Sequence, residues 1–375
     1  MNQQIGVGIL GANPDRGWAA RAHVPAINAS PHFALAAVAT TRAESAHAAR
    51  ERFGAAHAFT DPVALSRHPD VDLVVVTVKV PAHVELVTAA LEAGKHVYCE
   101  WPLTRTSAEA AALAEAAERA GVLAVVGLQA RFAPSVARAR EMIADGAIGT
   151  VLSANVFSSR AKGGALDVPA WTAYTYDATT GAGLVEVLGG HALDLVQHVL
   201  GPIGDLSART AVRVQEHRIA ETGEAIAVTA PDQLLAIAEF DGGAVAAVHV
   251  LDGETARPHT RLEISGTAGK LMLLSAPETE PQMAQLQISP LDLWQWQPGA
   301  TTPDPILPDA DEASTLPIEA ANVARLYRRL AADLHDHTRH APSFRDAQRL
   351  HALIERMRAN PNAPSPRDEH MAATA

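Results

Sequence analysis

The first residues with an evident chemical use are Gly11, Asn13, Arg16, Gly17 and Trp18, in the run Gly11-Ala-Asn13-Pro-Asp-Arg16-Gly17-Trp18-Ala19. They follow a short apolar run, Ile5 to Leu10, that reads as a buried parallel strand. A strand, a glycine turn and a helix opening near Gly17 aim backbone N–H groups and a positive helix end at a pyrophosphate. The usual spacing is G-x-G-x-x-G. Here Asn13 stands at the second glycine, and the last glycine is delayed to Gly17. Asn tolerates left-handed backbone, so the turn survives the change. Thr40-Thr41-Arg42 follows the next strand, Phe33 to Ala39. A carboxylate usually stands there for the ribose 2′-hydroxyl, and this chain has none before Glu44. Two hydroxyls and a guanidinium suit a 2′-phosphate instead. That points to NADP, with NAD as the alternative. The competing reading of Arg42 is a residue at a solvent-exposed helix start.

Strands alternate with helices along the first third of the chain and must hold these residues in place. The strands are Asp72 to Val78, His96 to Cys99 and Leu123 to Gly127, and helices span Ala43 to Phe53, His83 to Ala93 and Ser107 to Ala120. That alternation implies a doubly wound α/β domain with a parallel sheet. Ligands in such sheets lie beyond the carboxyl ends of the strands. Val78, Glu100, Trp101, Gln129 and Arg131 stand at those ends. His83 opens a helix, where a structural role competes with a cofactor contact.

The pattern then changes. After a helix from Ser135 to Asp145 comes a long alternating strand, Val151 to Arg160. Asp241-Gly242-Gly243 and Gly266-Thr-Ala-Gly269 each separate two alternating runs, a hairpin signal. A half-exposed antiparallel sheet fits. Pro277 to Pro317 reads as loop around a strand near Leu286 to Ile288, followed by helices Glu319 to His340 and Phe344 to Asn360. The expected division is 1–130, a Rossmann NAD(P)-binding domain; 131–362, an α+β domain with an open, mainly antiparallel sheet that binds substrate and oligomerises; and 363–375, a loose polar tail.

The chain has 375 residues, enough for two cores. Thirty basic against 42 acidic residues give −12, which argues against direct nucleic-acid binding. Neither a signal peptide nor a membrane span is visible. Cys99 is the only cysteine, so a reducing, cytoplasmic setting fits. The seventeen histidines are scattered, and no metal site is expected.

Ala93-Gly94-Lys95-His96-Val97, then Glu100-x-Pro102-Leu103, with His83 and His191-x-x-Asp194, resemble the glucose–fructose oxidoreductase and inositol dehydrogenase family. The resemblance covers nearly the whole chain. It implies a Rossmann domain, an α+β domain, NAD or NADP, and sugar-like or polyol substrates. A dimer or tetramer is implied as well. Gly17-Trp18-Ala19, Glu100-Trp101, Leu128-Gln129-x-Arg131, Tyr174-x-Tyr176-Asp177 and Pro231-Asp232-x-Leu234-Leu235 resemble the galactose-repressor branch, which keeps the dinucleotide site but acts by binding an activator protein.

Two positions depart from the family. Its catalytic lysine is Trp101 here, and its aspartate four residues before the active-site histidine is Val187, with Glu186 one position off and facing away. A hydride leaves an alcohol carbon only if a base takes the hydroxyl proton, and Trp cannot. The resemblance places His191 under the nicotinamide, where an unperturbed imidazole titrates near neutrality. The alternative is a helix histidine paired with Asp194. Tyr176 is a candidate acid. Trp101, Arg131, Lys162, Tyr174 and His191 are candidate substrate contacts. Tyr174 and Tyr176 packing in a cluster with Trp171 is the competing reading, and a solvated loop amine is the competing reading of Lys162. The expected function is an NAD(P)(H)-dependent oxidoreductase on a sugar-like or small cyclic hydroxy or carbonyl compound. Alternatives are a non-catalytic regulator and a redox-neutral enzyme that recycles its bound cofactor.

Overall fold

The computed structural model describes residues 4–280 and 283–359. The chain forms two compact units. Of the described residues, one unit comprises 4–132 and 310–349, and the other comprises 133–309 and 350–359.

The first unit is built on six parallel strands: β1 (Ile5–Leu10), β2 (Phe33–Ala39), β3 (His57–Phe59), β4 (Leu73–Val76), β5 (His96–Cys99) and β6 (Ala124–Val126). Their order is β3-β2-β1-β4-β5-β6, and every pair is parallel. All four residues of β4 are buried, as a Leu-Val-Val-Val run requires when helices cover both faces. The crossovers carry α1 (Val24–Asn28), α2 (Ala43–Phe53), α3 (Pro62–Ser66), α4 (His83–Glu92) and α5 (Ser107–Ala120). Helix α5 starts where the Thr106 side chain accepts the Glu109 N–H and stops at Gly121 in left-handed backbone.

One segment departs from the expected division. Helix α8 (Ile318–Asp336) belongs to the first unit, where the expectation had grouped it with the second. Its buried stripe, Val323, Leu326, Tyr327 and Leu330, shares one core with Val7, Ile9, Phe33, Val75 and Tyr98. The 3.6-residue spacing marks an apolar face without naming the sheet it covers.

The second unit carries α6 (Pro134–Ala144), α7 (Gly190–Leu200) and an eight-stranded sheet. The sheet contains β7 (Val151–Arg160), β9 (Ile203–Ala211), β12 (Gln233–Phe240), β13 (Val245–Asp252), β14 (Thr260–Gly266), β15 (Gly269–Ser275), β16 (Leu291–Trp296) and β17 (Asp304–Ile306). Both expected hairpins form, as β12–β13 and β14–β15. All neighbours are antiparallel except β7 and β13. Three short strands, β8 (Asp167–Val168), β10 (Glu216–Ile219) and β11 (Ala225–Ala227), form a separate small sheet. One face of the large sheet is open: Leu235, Ile237 and Val245 are exposed on it. Leu286–Ile288 is a turn and not the expected strand; β16 follows it, because Leu291 and Leu293 alternate inward and Leu286 to Ile288 do not alternate. The last helix, α9, covers Phe344–Ala359; its expected end at Asn360 and the expected tail 363–375 lie outside the described residues.

Candidate active site

In the first unit the turn after β1 is shaped by Gly11. Its φ is +93°, and a Cβ there would stand 2.8 Å from Val78 Cγ1 and 3.1 Å from Thr77 Oγ1. Only glycine lets the strand end turn against the end of β4. The Asn13 side chain does the work of the missing glycine: its Oδ1 accepts the N–H groups of Asp15 (2.9 Å) and Arg16 (3.2 Å). Gly17, with φ +101° and open space at its Cβ position, releases the chain into the helix. That helix begins with a π-helical turn, Ala19–His23, before α1. The helix expected to open near Gly17 therefore starts with a wider turn, a feature frequent at functional sites.

At the end of β2 the Thr40 hydroxyl donates to Arg42 O (3.0 Å) and lies 2.6 Å from Ser45 Oγ, so it braces the turn. Thr41 and Arg42 are exposed. Arg42 is the residue preceding α2, and its side chain makes no capping bond. Four buried side-chain polar atoms described in this unit have no hydrogen-bond partner: Tyr98 Oη, Arg329 Nε and, near the strand ends, the pair Trp18 Nε1 and Gln129 Oε1. The left-handed glycine turn, the Asn13-braced loop and that last pair of orphan atoms fit a bound dinucleotide.

Two expected cofactor contacts turn inward instead. Glu100 Oε1 lies 2.9 Å from His23 Nε2, while His23 Nδ1 lies 2.9 Å from the Tyr327 hydroxyl. The Glu100 carboxylate also packs where a Cβ on Gly127 would come within 2.9 Å of it. His83 is buried, with Nε2 3.0 Å from Val78 O and Nδ1 3.1 Å from Leu103 O and 3.3 Å from Cys99 Sγ. Burial lowers its pKa. Glu100 and His83 thus hold the strand ends from behind. Val78 is half-buried, Trp101 is buried, and Arg131 lies 3.8 Å from Asp346.

In the second unit the chemistry gathers around the end of β7 and β13. Arg160 and Asp252 form a buried two-pronged pair, Nε to Oδ1 at 2.9 Å and Nη2 to Oδ2 at 2.8 Å. Lys162, two residues on, is half-buried. Its Nζ donates to Thr175 Oγ1 at 2.6 Å and lies 5.4 Å from the centre of the Tyr176 ring. Burial pushes its ammonium down to about 7, the Arg160 charge adds to the fall, and Asp252 opposes it. The solvated amine that competed in the sequence reading is not what the fold makes. Tyr176 is buried against His217, ring centres 4.3 Å apart, and burial pushes its hydroxyl up to about 12. Trp171 is half exposed to solvent, against the competing reading of a packed cluster with Tyr174 and Tyr176. A cavity of about 20 Å³, lined by Gly163, Thr175, Tyr176, His217 and Asp252, has room for one water. Tyr174 is half-buried, and burial raises its hydroxyl pKa.

His191, at the start of α7, is 3 % exposed, and its Nδ1 has no hydrogen-bond partner. Burial pulls the imidazole down to about 3, where the sequence reading expected a near-neutral value. It stays uncharged across the ordinary pH range. Glu186 is buried and pairs with Arg358. Sequence reasoning missed His23, Arg160, Thr175 and Asp252. Ser158-Ser159-Arg160 carried the only hint, since all three are buried at a strand end where the alternation stops.

Comparison with known proteins adds the following. A family model described as an oxidoreductase family with an NAD-binding Rossmann fold, GFO_IDH_MocA, matches residues 5–128, and one for the Gal80p C-terminal domain matches 134–275. The dehydrogenase aclE of Aspergillus oryzae is 31% identical over 77% of this chain and 75% of its own length. Levoglucosan dehydrogenase of Pseudarthrobacter phenanthrenivorans is 26% identical over 75% of this chain and 76% of its own. A crystal structure of a super-repressor mutant of Gal80p from Saccharomyces cerevisiae superposes with a TM-score of 0.82 at 24% identity, covering 95% of each chain.

Proposed function

The chain belongs to the NAD-binding Rossmann oxidoreductase family typified by glucose–fructose oxidoreductase and inositol dehydrogenase, and from that premise we propose that it is an NAD(P)(H)-dependent oxidoreductase acting on a hydroxyl or carbonyl group of a sugar-like or small cyclic compound. Amide groups between Gly11 and Ala19 hold the pyrophosphate. The exposed Thr41 and Arg42, with no carboxylate before Glu44, favour NADP. A bound nicotinamide supplies the hydride acceptor or donor.

What the chain itself must supply is the proton. Of the three candidate groups, His191 is held near 3 and Tyr176 near 12. A general base works best when its pKa lies near the operating pH. Lys162, near 7 and seated on Tyr176 and Thr175, meets that condition, and this is the observation that carries the reading. The Lys162 amine accepts the substrate hydroxyl proton, a role left vacant by Trp101. Tyr176, beside the Lys162 amine, stays protonated throughout. The relative named levoglucosan dehydrogenase supports a sugar-like substrate.

The second reading, a nucleotide-binding regulator, draws on Trp101 in the lysine position and on the Gal80p C-terminal match over 134–275. One experiment separates the two. Purified protein is titrated calorimetrically with NADP and NAD, then followed by nicotinamide absorbance over a panel of sugars, anhydrosugars and inositols. Turnover on any of them supports the enzyme. Tight binding without turnover supports the regulator, and absence of binding removes both. Light scattering on the same sample should report a dimer or tetramer, paired through the open face that carries Leu235, Ile237 and Val245.

A further inference from the structure

Apart from the residues used above, three side chains of the first unit converge at the edge strand β3. His57 opens that strand, and His68 and Asp70 lie in the turn between α3 and β4. His57 Nε2 is 2.8 Å from Asp70 Oδ2, and His68 Nδ1 is 3.9 Å from the same oxygen. The two imidazole rings lie 4.1 Å apart between centroids, tilted by 43°, and Phe59 packs edge-on against His68 at 5.6 Å. One ligand-capable atom from each of the three falls within 4.8 Å of the others. We infer that His57, His68 and Asp70 form a binding site for one divalent transition-metal ion of the zinc type.

The donor set and its spacing argue for this. Two imidazoles and one carboxylate are the ligands that zinc and its neighbours prefer, whereas magnesium and calcium take oxygen. With metal–ligand bonds of about 2.0–2.2 Å, tetrahedral ligands stand roughly 3.3–3.5 Å apart. The two observed spacings bracket that value. Small side-chain rotations suffice, because all three side chains are partly open to water. The backbone beneath is already fixed: His68 N–H donates to Leu65 O, and Val71 N–H donates to His68 O, both at 3.1 Å. Two features oppose binding. The Asp70 N–H donates to His68 Nδ1 at 3.2 Å, so the ion must displace that bond or use Nε2. Lys95, whose Nζ donates to His68 O at 3.3 Å, brings a positive charge that the Asp70 carboxylate offsets. A fourth position is left for water. The ion would tie β3 to the turn before β4, pinning a three-residue edge strand that otherwise holds only β2.

The test is a cobalt(II) titration of the full, chelator-stripped chain, read by the visible absorption of four-coordinate cobalt, with zinc competition and a thermal melt. The expected result is one saturable ion per chain in the micromolar range, displaced by zinc. Zinc should also raise Tm by a few degrees. His57→Gln, His68→Gln and Asp70→Asn should each weaken the ion about tenfold or more. Coenzyme titration of each variant serves as the check that it is folded. No saturable cobalt spectrum, or binding unchanged in all three folded variants because the ion sits on other histidines, overturns the inference. Neither result touches the proposed oxidoreductase function, which does not use these residues.

Discussion

The turn after β1 and the end of β7 both concentrate candidate functional residues, and they differ in which part of the chain builds them. At Gly11 to Trp18 it is the backbone: a left-handed glycine, amide groups and an asparagine that folds the loop. At Arg160 to Tyr176 it is side chains whose protonation depends on what buries them. Backbone sites leave their mark as spacing, because only certain residues tolerate the required dihedrals. Proton-handling sites leave almost none, because a lysine near 7 and a lysine near 10 are the same letter. Lys162 differs from any loop lysine only through Thr175, Tyr176 and Arg160, which no local pattern predicts.

The largest effect that would break this contrast is loss of Lys162. Lys162→Met should cut turnover by about 10²–10⁴, the usual worth of acid–base catalysis, with coenzyme affinity unchanged. Lys162→Arg should not restore it, because a guanidinium stays charged. The pH profile has a defined sign. A lysine lowered to about 7 is protonated below that value and cannot accept a proton. Alcohol oxidation should therefore rise through pH 7 and level off, while carbonyl reduction, which needs the ammonium, should fall through the same pH. An oxidation profile that climbs toward pH 10 would return Lys162 to solvent. A turnover lost equally in His191→Ala, with Lys162→Met active, would restore the imidazole as base.

How much was legible follows the same division. The alternation of strands and helices, the glycine turn after β1 and both hairpins were readable, because periodicity and turn glycines encode them locally. The membership of α8 was not. Its stripe from Val323 to Leu330 specifies a face, and the partner core lies some three hundred residues earlier at Val7 and Ile9. Glu100 and His83 were readable as strand-end and helix-start residues but not as groups facing inward, since His23 and the Val78 and Leu103 carbonyls reach them only in the fold. Leu326→Ala tests the reassignment of α8. Leu326 is fully buried, so the truncation should cost about 2–5 kcal/mol. In urea unfolding, the transition that NADP or NAD delays should be the one that moves to lower urea. A shift confined to the coenzyme-insensitive transition would return α8 to the other unit.

The smallest effect concerns Arg42, and it bears on which coenzyme the backbone site prefers. Nothing in the glycine turn distinguishes the two dinucleotides; the difference lies at the ribose, beyond β2. There the Thr40 hydroxyl is committed to Arg42 O and Ser45, which leaves Thr41 and the exposed Arg42 guanidinium to meet a 2′-phosphate. An exposed charge pair is worth only about 0.2–1 kcal/mol, because water screens it. Arg42→Ala should therefore weaken NADP by about two- to fivefold and leave NAD unchanged, as read by parallel calorimetric titrations. If both coenzymes weaken together, Arg42 acts through the start of α2 and not through the phosphate. If neither changes, Thr41 and the backbone set the preference, and even the last side chain of this edge yields to the main chain.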